Sequence, residues 1–599
     1  MAQNSSQGNE LLLDRTLIPF IFLAIILLGN YGIFLGHNFL VGEVPYGMYS
    51  ILKENLNSSG WRPDLGLGVS FFYADPGSMH VWALVRWWNE LFTNRLIAYN
   101  VSIIALMWAA SLAHFAFLRK ALPKLGRPLL ILLACLIAFG PQRYFSFFNQ
   151  SHGGFLPIAI PLISLILHDL SIKPSLKHYF YYTFTLTLTV VLGSVVVLFH
   201  SLIFSCAFFL TLICFHGWYK NWALLRTWFG RFFLLNLSSG LSLLILTAWT
   251  LYSIFVESQA SQYVRDADYW KQNFFASINL KKIFKELLLY IQPGFFSEWT
   301  APLGIRQSLG TVGANCFSIL LPIVLLITLF QKPKNFWEFA FKHLFIGAVI
   351  FTELMRWAPI LGNLSHYFRP PNLTSVLQVF GILGLGVCLN RINFNKLELS
   401  NRLSFLIRCV ALPLCFLYTT LFIVALFAIQ APESLNTLFQ YILNFVTPYL
   451  NSFSLKNLMP SLILANVNLF HETMGISHLL FYGSSLAIMG LFSTRHGTDL
   501  MRWKHGLVLA GILLANQISL SWAVYPMNKE LPIWTQHLKK DGGIAEIFSP
   551  TDRIMRVSPP MCGKSYRTKI GFINDADPDN YHDCVKKKFI DQTFGAYRH

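Results

Sequence analysis

Long apolar runs alternate with short basic segments along the whole chain. Leu17–Phe34, Phe232–Phe255, Cys409–Ala428 and Gly506–Val524 approach or reach the ~20 residues that a helix needs to cross about 30 Å of hydrocarbon. Inside lipid, backbone groups must bond within their own segment, so these runs predict helices. The first run follows Arg15 and resembles a secretory signal. It is longer than a usual signal core, however, and no small-x-small cleavage site precedes His37 and Asn38, so it reads as a retained first span.

The segments between runs differ in charge. Arg119–Arg127, Lys173–Lys177, Lys220–Arg231, Lys332–Lys342, Arg391–Arg408 and Arg495–Lys504 are rich in Lys and Arg. If all six face the cytoplasm, about thirteen helices fit between them, with the N-terminus cytoplasmic and the C-terminus outside. The opposite segments are longer and chemically richer: His37–His80, Pro141–His152, Glu257–Asn315, Trp357–Asn372, Gln430–Gly475 and Tyr525–His599. Amphipathic stretches at Glu43–Leu56, Val81–Phe92 and Leu280–Ile291 suit the membrane interface and the wall of an outer cavity. The expected architecture is an all-α polytopic membrane protein, with a multi-spanning domain over 1–524 and a small outer C-terminal domain over 525–599. That tail is small for an independent core, and packing against the membrane body is expected of it.

Composition removes the soluble alternatives. Of 599 residues, 54% are hydrophobic and 12% charged, against roughly 25% charged in a soluble protein. A net charge of +18 invites a nucleic-acid partner, but nucleic-acid binders gather their cations on a polar domain. Here the cations lie between spans, where they act as topology signals, and no nucleic-acid partner is expected. Of nine cysteines, seven lie in or beside apolar runs, where a small buried hydrophobe is the default role. Cys562 and Cys584 fall in the outer tail, as disulfide partners or as two free thiols.

Candidate chemistry begins just past the first span, with Glu43 and then Asp64 and Asp75 between Trp61 and Ser78. A carboxylate at the level where headgroups meet water is partly desolvated, which raises its proton affinity toward that of a general base. Glu43 serves equally well as an acidic first-turn residue of the next helix.

A first helix, an acidic residue in the first outer loop, the glycines Gly66 and Gly68 and the step Asp75-Pro76 together resemble the bacterial YfhO-type membrane proteins. These belong to the C-type (GT-C) glycosyltransferase superfamily. The likeness continues at Asn149–Leu162 and at His366, Tyr367, Phe368, Arg369 and Pro370. The family usually has Asp at the first-loop position where this chain has Glu43. The resemblance implies a transferase in a bacterial inner membrane, taking a sugar from a polyprenyl-phosphate donor to a lipid or glycan acceptor at the periplasmic face. It further implies that Glu43 is the base, with Asp64 or Asp75 in reserve, and that Arg369 grips the leaving phosphate, with His366 and Tyr367 beside it. Phe-rich spans would hold the lipid, and nothing in the pattern calls for a cofactor or metal.

Other residues carry paired readings. Arg143 and His152 face a phosphate or anchor the interface. Asp266 and Asp268, near Tyr269 and Trp270, suit a sugar acceptor or an interfacial cap. Glu353 and Arg356 lie three apart on one helix face and pair with each other or meet substrate. His471, Glu472 and His478 lack the zinc-protease spacing, and Asp575, Asp577 and Asp579 lack an EF-hand's glycine and closing Glu. The competing classes are a lipid or glycan transporter, flippase or scaffold without catalysis, and a cell-surface glycan polymerase or ligase relying on Arg265 and Arg306.

Overall fold

In the computed structural model, the structure describes residues 17–35, 61–62, 69–70, 95–140, 155–191, 195–260, 332–357, 370–394, 401–431, 476–493 and 503–524, with isolated positions in 323–330 and 433–441. Among these residues the chain forms twelve helices. They are α1 (Leu17–Gly29), α2 (Arg95–Ala121), α3 (Arg127–Phe139), α4 (Leu156–Ile172), α5 (Leu176–Val191) and α6 (Val195–His216). They continue with α7 (Trp222–Ala260), α8 (Phe336–Trp357), α9 (Pro370–Phe394), α10 (Asn401–Gln430), α11 (Ile476–Ser493) and α12 (Trp503–Val524). A two-residue antiparallel pairing joins Trp61–Arg62 to Val69–Ser70.

Five stretches, within α2, α6, α7, α10 and α11, are long and apolar enough to cross a membrane. The protein is therefore an integral membrane protein. The lipid-facing surface carries large apolar side chains such as Phe416 (77% exposed), Ile245 (78%) and Phe233 (65%), which only a hydrocarbon solvent tolerates in such density.

Local signals place the helix ends. Pro128 stands in the first turn of α3 and Pro157 in that of α4, where a missing N–H costs nothing. Gly217, at φ +65°, ends α6 and opens the 3-10 turn Trp218–Lys220, a left-handed conformation that favours glycine. Asn221 Oδ1 then accepts from the amides of Ala223 and Leu224 to cap α7. A reciprocal cap starts α8, where Asn335 Oδ1 accepts from Glu338 N and Glu338 Oε2 accepts from Lys334 N.

The centre of the bundle is α9. It packs on α3, α4, α8, α12, α2 and α6, and nearly every position from Ser375 to Leu389 is buried. Glycines permit this approach. A Cβ at Gly384 would fall 2.3 Å from the Phe341 ring, and one at Gly386 would fall 2.4 Å from Leu122 Cδ1. Helices in lipid associate through such close packing, because apolar burial alone gives no advantage there.

Two layers of contacts define the ends of the bundle. In the first, Lys120 Nζ at the end of α2 lies 3.2 Å from Asp169 Oδ1 at the end of α4. The neighbouring His168 ring packs on Trp337 at the start of α8, with centroids 4.6 Å apart. Phe215, at the end of α6, meets Phe336 at 5.4 Å, and Trp218 stacks on Trp228 of α7 at 4.6 Å. The ends of α2, α4 and α6 and the starts of α7 and α8 thus share one face. This layer gathers four of the basic segments on one side: 119–127, 173–177, 220–231 and 332–342.

Two expectations need correction. The run Leu17–Phe34 does not continue as one α-helix, because α1 stops at Gly29 and Tyr31–Leu35 is a 3-10 turn. At the break, Asn30 Nδ2 donates to Ile26 O at 2.7 Å and competes with the backbone for that carbonyl. The span cysteines are not uniformly buried either. Cys135 and Cys388 are, but Cys206, Cys214 and Cys409 are exposed, because an apolar residue on a membrane helix is equally at home against lipid.

Candidate functional site

The second layer lies at the other end of the bundle and is built from helix ends. Trp522 Nε1, near the end of α12, donates to the carbonyl of Gly29 at 2.8 Å. A Cβ at Gly29 would fall 2.4 Å from the Phe139 ring at the end of α3. Gln378 Nε2 of α9 approaches Ile137 O at 3.4 Å and closes against Gly140, where an added Cβ would collide with it. The exits of α1, α3 and α12 and the outer part of α9 therefore meet at one place.

The helices extend to different lengths around this meeting place. Helix α3 begins at Arg127, beside the basic face, and has 13 residues, so its axis spans about 20 Å. Helix α9 continues outward from Gln378 to Pro370, eight residues and about 12 Å, and so extends past the end of α3.

The layer is polar for its depth. Asn30, Ser375, Gln378, Asn516 and Gln517 are all buried. Asn516 Nδ2 of α12 donates to Phe481 O, Ser484 Oγ and Ser485 Oγ of α11, at 3.1, 2.9 and 2.9 Å. Among the described residues its Oδ1 has no hydrogen-bond partner, nor has either end of the Gln517 amide, although Gln517 is 1% exposed. A buried, unpaired amide costs about 1–3 kcal/mol per group. Tyr31, half exposed, meets the Trp522 indole edge-on at 5.4 Å and 80°.

The residues expected from sequence to carry chemistry lie outside the described residues: Glu43, Asp64, Asp75, Arg143, His152, Asp266, Asp268, His366, Tyr367, Arg369, Cys562 and Cys584. The side chains of Glu353 and Arg356 do too, although both positions fall within α8. The described helices do fix where several of these segments leave the bundle. Glu43 follows the turn Tyr31–Leu35 after α1, Arg143 follows Gly140, and Arg369 directly precedes Pro370.

Sequence reasoning missed the buried amides. Their signal was present as single polar residues inside apolar runs, Asn30 in the first and the pair Asn516-Gln517 in the last. Comparison of the chain with protein-family models, curated proteins and solved structures finds no match.

Proposed function

We propose that the protein is a lipid-linked glycosyltransferase of the C type. It moves a sugar from a polyprenyl-phosphate donor to a lipid or glycan acceptor at the face opposite the basic segments. The observation that supports this reading is the convergence of the exits of α1, α3 and α12 beside Gln378 of α9, which in this reading forms a recess below the headgroup level. The chain segments that carry Glu43 and Arg143 follow two of those exits, and Arg369 precedes the start of α9 about 12 Å further out.

In this reading, Glu43 removes the proton from the acceptor hydroxyl, whose oxygen attacks the anomeric carbon of the sugar. The bond from that carbon to the carrier phosphate breaks, and the anionic phosphate leaves toward the guanidinium of Arg369. Direct displacement inverts the anomeric configuration. The polyprenyl chain of the carrier lies in the membrane, and only its phosphate end needs to enter the recess. The basic face is cytoplasmic, and the recess opens to the periplasm of a bacterial inner membrane.

Two substitutions, Glu43→Gln and Arg369→Ala, test the reading when the glycolipids and glycans of the membrane are compared by mass spectrometry. Loss of the same sugar modification in both supports it. Unchanged glycans in both variants, at wild-type protein levels, overturn it. A transporter of lipid-linked glycans is the second reading, favoured by Gln517, whose unpaired amide sits at membrane depth as in a translocation path.

A further inference from the structure

Three helices end at one place, and all three end there with the same polarity. Trp522, in the last turn of α12, donates to the carbonyl of Gly29, the last residue of α1. Gly29 lies against the ring of Phe139, the last residue of α3. Each helix C-terminus carries about half a negative charge on carbonyls that no further turn satisfies. The three together present roughly one and a half negative charges.

Nothing on the surrounding helices offsets that charge. Helices α1, α3, α9 and α12 contain no Asp or Glu, and the Lys and Arg they carry, Arg127, Arg391 and Lys504, lie at the far ends of their helices. The helix ends are also shut away from solvent, because Gly29, Asn30, Ala138, Phe139 and Gly140 are all buried. The residue that would donate to Ile137 O is Pro141, which has no N–H. Gln378 Nε2 approaches that carbonyl instead, at 3.4 Å, and Gln378 is 1% exposed. Among the described residues the carbonyl of Ala138 accepts no hydrogen bond, although Ala138 is 0% exposed. A buried carbonyl left in this state needs a partner from outside the bundle.

Neutral oxygens gathered at a buried partial negative charge suit a cation. Carbonyl dipoles and helix C-termini hold monovalent cations in membrane proteins, whereas calcium sites draw on carboxylates. The lack of Asp and Glu on the four helices therefore selects the monovalent class.

We propose that the junction of α1, α3 and α12 binds a monovalent alkali cation, held by Ala138 O, by other carbonyls of the last turns and by the amide oxygen of Gln378. The site rests on the convergence of helix ends and not on the transferase reading. Within that reading it has one consequence. Helix C-termini repel the leaving phosphate, and the cation offsets the repulsion.

Purified full-length protein in neutral detergent tests the proposal when choline chloride is exchanged for sodium or potassium chloride at constant ionic strength. The thermal midpoint should rise and saturate with an alkali ion, and the protein should retain radioactive sodium or rubidium. Gln378→Leu should weaken the apparent affinity about ten-fold. Gln378→Glu, which adds a carboxylate oxygen, should tighten binding and admit calcium. Equal midpoints in choline, sodium and potassium with no retained isotope overturn the proposal, as does an unchanged affinity in both folded Gln378 variants. Arg143→Gln addresses the other occupant, a guanidinium supplied by the chain that follows α3. If that variant gains an alkali response that the wild type lacks, the helix ends are already neutralised from within and the proposal fails. Glu43→Gln should keep the ion response whatever becomes of the glycans, so failure of the transferase reading and failure of the cation site are told apart.

Discussion

Trp522 and Gly29 are joined by a hydrogen bond of 2.8 Å although 493 residues separate them. The indole of the last described helix thereby ties down the carbonyl that α1 leaves free as it ends. One contact thus joins the first and last helices of the described chain. Replacing Trp522 with Phe keeps a ring against Tyr31 and removes the donor. Stability in detergent should fall by about 1 kcal/mol, read as a lower thermal midpoint. An unchanged midpoint would mean that the bond does not hold α12 to α1.

Gly29 also sets how closely α1 approaches α3. Its missing Cβ would fall 2.4 Å from the ring of Phe139, which is fully buried. Gly29→Ala should therefore cost about 1–3 kcal/mol through overpacking. A second change, Phe139→Leu, should recover part of the loss by opening the same space. Thermal unfolding of the single and double variants measures the coupling, and additive losses would show that the two positions do not meet.

The sequence made the class of the molecule legible because hydrocarbon imposes one rule on every spanning segment. The runs at Phe232–Phe255, Cys409–Ala428 and Gly506–Val524 fall within α7, α10 and α12. Four basic segments also share a face, as their composition required. The break at Asn30 was less legible, because it depends on one side chain competing for Ile26 O. Neither the hub position of α9 nor the lipid exposure of Cys206 was readable, since an apolar residue satisfies lipid and protein neighbours equally. Gln378 and Gln517 were visible as letters, but their burial depends on tertiary packing.

The shared basic face makes a topological prediction. Lys124, Lys220 and Lys334 are each exposed or partly exposed and lie in three different basic segments. Single cysteines at these positions, in a protein whose native cysteines are replaced, should all react with an impermeant maleimide from the same side. A cysteine at Tyr31 should be shielded from that side. Labelling of Lys124 and Lys334 positions from opposite sides would separate helix ends that Lys120, Asp169, His168 and Trp337 bring together.

Gln517 distinguishes a structural polar residue from one kept for a ligand. Both ends of its amide lack partners among the described residues, so Gln517→Leu, of similar volume, removes buried polar atoms without removing a bond to them. The variant should be as stable as the parent or more so by about 1 kcal/mol. Asn516→Leu gives the contrast, because its Nδ2 donates to Phe481, Ser484 and Ser485, and that variant should be less stable by about 1–3 kcal/mol. If the recess admits the polar end of a lipid-linked sugar, Gln517→Leu should lower glycan transfer while its thermal midpoint holds or rises. A destabilised Gln517→Leu would instead mean that the amide is already satisfied by ordered water, and transfer at the wild-type rate in a stable variant would remove Gln517 from the substrate's path.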